Sequence, residues 1–210
     1  MLEQPLKFFV VFFVVVEPVS LIPLFSGLTS GATAQYKRLM AFKAVVISAV
    51  ILLLAALGGA KFLELMGISL EAFRIFGGLL LFLLSLEMVF ARESGTRTSS
   101  SEAAESRRRA DISVFPLAFP FIAGPGALAT ILLWFGPLHV SSQGPLVGAL
   151  LVAVALVLAI ALVMMLLAEP LMRVLGVTGA NVASRLLGVV LGALAVQFVL
   201  DGLRQAFSAS

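Results

Sequence analysis

Glu17-Pro18 and Gly124-Pro125-Gly126 are the residues of this 210-residue chain best placed to do chemistry. Each group interrupts a long apolar run. Proline removes a backbone donor and clashes with the preceding turn, and in lipid the freed groups need protein, water or ligand as partners. A helix resuming after such a break starts with unbonded N–H groups and roughly half a positive charge, which suits a carboxylate. Glu17 is the one acid expected deep inside an apolar run, where an ionisable group is costly and marks function. It is a candidate for holding an ammonium group or for carrying a proton. Ser20, three residues on, can bond a ligand or its own helix. Pro23 and Thr130 lie near the breaks. Gln197, four residues before Asp201 on one helical face, either lines the same cavity or ties two helices together. The candidate ligand-binding set is therefore Glu17, Pro18, Ser20, Pro23, Gly124, Pro125, Gly126, Thr130 and Gln197.

The elements that must position these residues follow from composition. The chain is 61% hydrophobic and 12% charged, against about half and a quarter in ordinary soluble domains. This excludes disorder, a coiled coil and an ordinary soluble enzyme. At about 20 residues per span the chain holds roughly six transmembrane helices and no soluble domain. The apolar segments run over about 6–25, 40–57, 73–90, 112–134, 144–167 and 183–203. Residues 91–111 form a polar Arg- and Ser-rich loop dividing a first unit, 1–90, from a second, 112–210. The N-terminus is signal-like, but Glu17-Pro18 interrupts its apolar run and no cleavage site follows directly, so it is expected to remain as the first span.

Charge orients the chain. Six spans place Lys7, Lys61, Arg74 and Arg204 on one side. Lys37, Arg38, Lys43, Arg92, Arg97, Arg107, Arg108, Arg109, Arg173 and Arg185 fall on the other. Basic residues favour the cytoplasm, so both termini are predicted outside and the Arg-rich loop inside. The basic balance of +3 thus reflects topology rather than a nucleic-acid partner; the partner is a lipid bilayer. Trp134 and His139 fall at the outer interface. With no Cys and one His, thiolate and multi-His metal sites are excluded within one chain, and nothing calls for a cofactor.

The chain repeats itself. Leu65-Met66-Gly67-Ile68-Ser69 matches Val174-Leu175-Gly176-Val177-Thr178, and Arg74-Ile75-Phe76-Gly77 matches Arg185-Leu186-Leu187-Gly188. The stretch from Glu17-Pro18 to Phe25 matches that from Gly124-Pro125 to Leu132. Three spans per copy is an odd number, so the second copy enters the membrane the other way round. That is the inverted-repeat architecture of many secondary transporters, here with broken helices 1 and 4.

These residues resemble the MarC family, which includes small neutral amino acid transporters. The family's first motif, Asp-Pro-x-Gly-x-x-Pro-x-Phe, reads here Glu17-Pro18-Val19-Ser20-Leu21-Ile22-Pro23-Leu24-Phe25, with Glu for Asp and Ser for Gly. Phe73-Arg74-Ile75-Phe76-Gly77-Gly78 matches in the third span. Pro116-Leu117-Ala118-Phe119-Pro120-Phe121-Ile122-Ala123-Gly124-Pro125-Gly126-Ala127 matches in the fourth. Arg185-Leu186-Leu187-Gly188 and Ala195-Val196-Gln197-Phe198-Val199-Leu200-Asp201-Gly202 match in the sixth. The likeness covers nearly the whole chain. It implies a bacterial inner-membrane protein and transport of small neutral amino acids such as glycine and alanine, apparently proton-linked.

The topology allows two crossed pairs between spans three and six: Arg74 with Asp201 outside, and Arg185 with Glu87 inside. They are expected to act as struts, by snorkelling, or as gates. Gly188 and Gly192, Gly144 and Gly148, and Gly77 and Gly78 offer small faces for close helix packing; such faces also permit a homodimer. The leading functional expectation is a secondary carrier working by alternating access. An ion or other small-metabolite carrier is the alternative within transport, and a membrane scaffold or sensor is the alternative outside it. No H-E-x-x-H, G-x-S-x-G or nucleotide-binding loop is present, which argues against an enzyme or an ATP-driven pump.

Overall fold

The computed structural model describes residues 3–90, 111–138 and 140–208. The expected loop cations Arg92, Arg97, Arg107, Arg108 and Arg109, and also His139, lie outside these. Every element among the described residues is helical: α1 (Glu3–Val16), α2 (Leu21–Leu28), α3 (Ala34–Leu65), α4 (Leu70–Phe90), α5 (Ser113–Ile122), α6 (Pro125–Phe135), α7 (Val140–Leu166) and α8 (Ala168–Ser208). Five stretches are long and apolar enough to cross a membrane, and a sixth arises if α5 and α6, bent by 54°, form one span.

Local chemistry sets the element ends. The α1 run, rich in β-branched Val, would be a poor helix in water, but lipid leaves its backbone groups no partners except one another. It stops where Pro18 follows and Glu17 adopts φ 54°. Thr33 caps α3, its hydroxyl accepting from the Tyr36 N–H at 3.3 Å. At the other end Gly67, at φ 69°, closes the helix: its N–H donates to the Glu64 carbonyl and the Ile68 N–H to that of Leu63. Gly176, at φ 61°, interrupts α8. The two glycines occupy matched positions in the sequence repeat. At 32 residues α3 runs about 48 Å, well beyond the apolar segment 40–57 and beyond a bilayer core.

α5 is no ordinary helix. Phe115 and Phe119, each preceding a proline, are extended. Each lies inside a wide turn, the Leu117 N–H donating to the Ile112 carbonyl around Phe115 and the Ala123 N–H to that of Ala118 around Phe119. The peptide bonds to Pro116 and Pro120 are cis.

α4 and α8 form the most extensive pairing, and small residues make it. A Cβ on Gly78 would lie 2.9 Å from the Ala195 carbonyl oxygen; on Gly188, 2.8 Å from the Met88 Cβ; on Gly192, 3.0 Å from the Ser85 hydroxyl; on Gly202, 2.8 Å from Ile75. Gly77 instead receives Leu133 and Ala129 of α6. Gly144 and Gly148 have nothing within 4 Å of such a Cβ, so the close packing expected of that face is not made within the chain. Elsewhere α1 packs on α7 and α5 on α3, while α2 packs on α8 and α6 on α4. Phe8 and Phe12 are buried and stacked, with Phe8 also edge-on to Trp134. Leu54, Leu57, Leu186 and Val189 point outward, as lipid-facing side chains do.

Candidate functional site

Glu17 is 2% exposed at the break between α1 and α2. Its Oε1 accepts the Ser20 hydroxyl at 2.5 Å and also the hydroxyl of Ser184, on α8. Ser20 was a candidate from sequence; Ser184 was not. Its only sequence signal is its place beside Arg185 in the matched motif, because 167 residues separate it from Glu17. Pro18 is buried beside Glu17. Pro23 breaks nothing: it sits in the first turn of α2, where the missing N–H would have no helical partner in any case.

The two breaks differ in one respect that sequence did not reveal. The N–H groups of Ser20, Leu21 and Ile22 donate to the carbonyls of Glu17, Pro18 and Val19. The start of α2 is therefore not the open anion site expected of a half-helix; it presents an acid instead. At the second break Gly124 enters α6 in an extended conformation and Pro125 opens the helix. A Cβ on Gly124 would lie 2.0 Å from the Pro120 carbonyl oxygen, so only glycine fits. Among the described residues no acceptor meets the N–H groups of Gly126 and Ala127. These donors border a cavity of about 20 Å³ between Val15, Leu80, Leu84 and Gly124 to Ala127, room for roughly one water. Val15 brings the breaks together, its Cγ1 standing 3.2 Å from where a Gly126 Cβ would be. A single midplane pocket shared by Glu17, Ser20 and the glycines is not open here.

Thr130 is buried and its hydroxyl donates to the Gly126 carbonyl one turn back at 2.9 Å, so it serves its own helix. Gln197 is exposed and donates to Asp201 Oδ1 at 2.8 Å; it neither lines the breaks nor bridges helices. Neither crossed ion pair is made. Arg74 and Asp201 face one cavity without touching, and Arg185 is exposed, unbonded to Glu87. Among the described residues the ion pairs between distant parts of the chain lie at the predicted inner side: Lys37 with Glu169, and Lys43 with Asp111, just before α5, at 3.1 Å.

Two larger cavities flank the breaks at opposite ends of the helices. One, of about 270 Å³, lies among Gln4, Arg74, Leu133, Trp134, Phe198 and Asp201. The other, of about 150 Å³, lies among Phe25, Thr29, Lys37, Arg38, Glu169 and Pro170.

Long apolar helices, two of the spans interrupted and a buried acid at one interruption define a multi-pass integral membrane protein. The chain matches the MarC family, described as MarC family integral membrane protein, over residues 2–207. It is 35% identical to the UPF0056 membrane protein YhcE of Escherichia coli K12 over 96% of this chain and 92% of that one. It is 34% identical to a UPF0056 membrane protein of Archaeoglobus fulgidus, over 94% and 91%. With YvbG of Bacillus subtilis the identity is 33%, over 95% and 93%. No solved structure matches it. The chain belongs to the MarC family of integral membrane proteins.

Proposed function

We propose that this protein is a secondary transporter of small neutral amino acids, built from two inverted three-helix repeats and working by alternating access. The observation that carries the reading is the chemistry of the two breaks: a buried carboxylate at one and unpaired N–H groups at the other, joined through Val15. Glu17 with Ser20 suits an ammonium group; the N–H groups of Gly126 and Ala127 suit a carboxylate. A small zwitterion satisfies both ends once the contact of Val15 with Gly126 between them opens. Glu17 is also the candidate for proton coupling.

The packing supports the repeat. Exchanging the units turns the α1–α7 contact into α5–α3, turns α2–α8 into α6–α4, and leaves α4–α8 unchanged. All of these contacts exist. The left-handed glycines 67 and 176 are exchanged as well. Cavities at both ends with a nearly closed centre fit an occluded state of such a carrier.

Counterflow in proteoliposomes tests the reading. Vesicles loaded with unlabelled glycine or alanine are expected to accumulate the labelled amino acid, and Glu17→Gln or Pro125→Ala protein that remains folded is expected to lose that accumulation. No exchange of glycine, alanine or serine by folded protein overturns it. The packed centre, with its cavity of about 20 Å³, would then favour the second reading, a membrane scaffold or sensor without flux.

A further inference from the structure

The cavity between Arg74 and Asp201 is the largest polar-lined space described above, and the breaks do not account for it. Arg74 opens α4 and Asp201 lies near the end of α8. Both are partly buried and both line the same space of about 270 Å³. Among the described residues Arg74 has no ion-pair or hydrogen-bond partner, while Asp201 holds only the Gln197 amide. A cation and an anion, each partly buried, face one cavity with apolar walls without pairing with each other, so both keep capacity for a charge-assisted hydrogen bond. A solute carrying both charges supplies a partner to each. The remaining walls are Leu133, Leu146, Leu150, Phe198 and the Trp134 ring, which suit an aliphatic side chain. The volume falls just below the roughly 300–1,000 Å³ of drug-sized sites, so the solute is small.

We propose that this cavity is a binding site for zwitterionic α-amino acids, the carboxylate on the Arg74 guanidinium, the ammonium on the Asp201 carboxylate and the side chain against the apolar wall. The proposal deepens the transport reading and rests on it for where the ligand goes next. The space at the second break lies roughly 12 Å further along α6. Between them Gly77 is closed by Leu133 and Ala129, and Gly78 by Val199 and Ala195. The outer site therefore accepts side chains, such as that of leucine, that the centre excludes.

Trp134 is the only tryptophan in the chain and lines the cavity, so its emission reports occupancy directly. Purified protein in nanodiscs is titrated with L-leucine, L-leucine methyl ester and 4-methylpentanoate, with binding of labelled leucine measured in parallel. Leucine is expected to bind saturably and to shift the emission, while the ester and the deaminated acid bind at least about tenfold more weakly, each having lost a charge-assisted bond. Arg74→Gln and Asp201→Asn are expected to weaken leucine by a similar factor, with Arg74→Lys intermediate. Absent binding, binding that leaves the emission unchanged, or equal binding of all three ligands to the unmutated protein overturns the proposal whatever the variants do. Flux of glycine or alanine is scored separately. Binding without flux leaves this site standing and removes the carrier; leucine binding that neither Arg74→Gln nor Asp201→Asn weakens removes the site, whatever the flux.

Discussion

Glu17 holds a left-handed backbone that costs a side-chain-bearing residue about 1–2 kcal/mol, and two serine hydroxyls converge on its carboxylate. Backbone strain and polar satisfaction thus meet at one residue, as functional positions often show. Ser184→Ala removes one of those bonds. It is expected to lower stability by about 1–3 kcal/mol and to reduce exchange while the protein still folds; thermal unfolding in detergent and counterflow on the same preparation check both. An unchanged exchange rate would reduce Ser184 to a packing residue. Gly124→Ala forces a methyl group into the Pro120 carbonyl and is expected to be among the most damaging single substitutions, whereas Gly148→Ala, with open space, is expected to leave the unfolding midpoint nearly unchanged. Equal midpoints for the two variants would contradict the geometry of the second break. Glu17, Ser20 and the glycines were legible because residue type and position in an apolar run carry their own physics. Ser184 was not, since a serine within a helix looks the same whether it bonds back to its own turn or reaches a carboxylate on another span.

At the scale of elements, α4 and α8 are held by the absence of side chains. Gly188→Leu drives a large group into Met88 and the Ser85 carbonyl and is expected to destabilise by more than the roughly 1–3 kcal/mol typical of overpacking, with Gly144→Leu as the silent control in the same unfolding assay. The start of α5 is a polar latch. The Ser113 hydroxyl and N–H bonds hold the Asp111 carboxyl below its ordinary range against the opposing effect of burial, with lesser help from the Lys43 ammonium. A carboxyl lowered in the folded state contributes stability that is complete above the unfolded aspartate range, near 3.9, and is lost as pH falls through the lowered value. The difference in unfolding midpoint between the unmutated protein and Asp111→Asn is therefore expected to be present near neutrality and to shrink on acidification. A difference independent of pH would mean that the latch acts through shape rather than charge. Sequence placed the centres of the spans, but it cut α3 to 40–57 against Ala34–Leu65 and α8 to 183–203 against Ala168–Ser208, and it read Gly144 and Gly148 as packed and Gln197 as facing a cavity or another helix. Glycine spacing announces that an approach is allowed, not that a neighbour makes it.

For the whole molecule, orientation is the first quantity to measure. The chain has no cysteine, so single cysteines introduced at Lys61 and Arg204 on one side, and at Arg173 on the other, give an unambiguous answer. With both termini outside, the first two are expected to react with an impermeant maleimide in intact cells and the third only after permeabilisation; the reverse pattern would invert the topology. What the sequence determined alone was what depends on composition and local period: an all-helical membrane protein with five or six candidate spans, the interruptions at Glu17-Pro18 and Gly124-Pro125, and its family. These follow because a bilayer leaves a backbone few choices and because proline and glycine act where they stand. Tertiary structure decided what lies between elements. It joined Ser184 to Glu17, spent the N–H groups of α2 on its own turn and left those of α6 free. It also closed the centre, and it held Arg74 and Asp201 apart across a cavity. Each of these depends on the distance between helices, and that is set by how side chains interlock, which no spacing along the chain encodes.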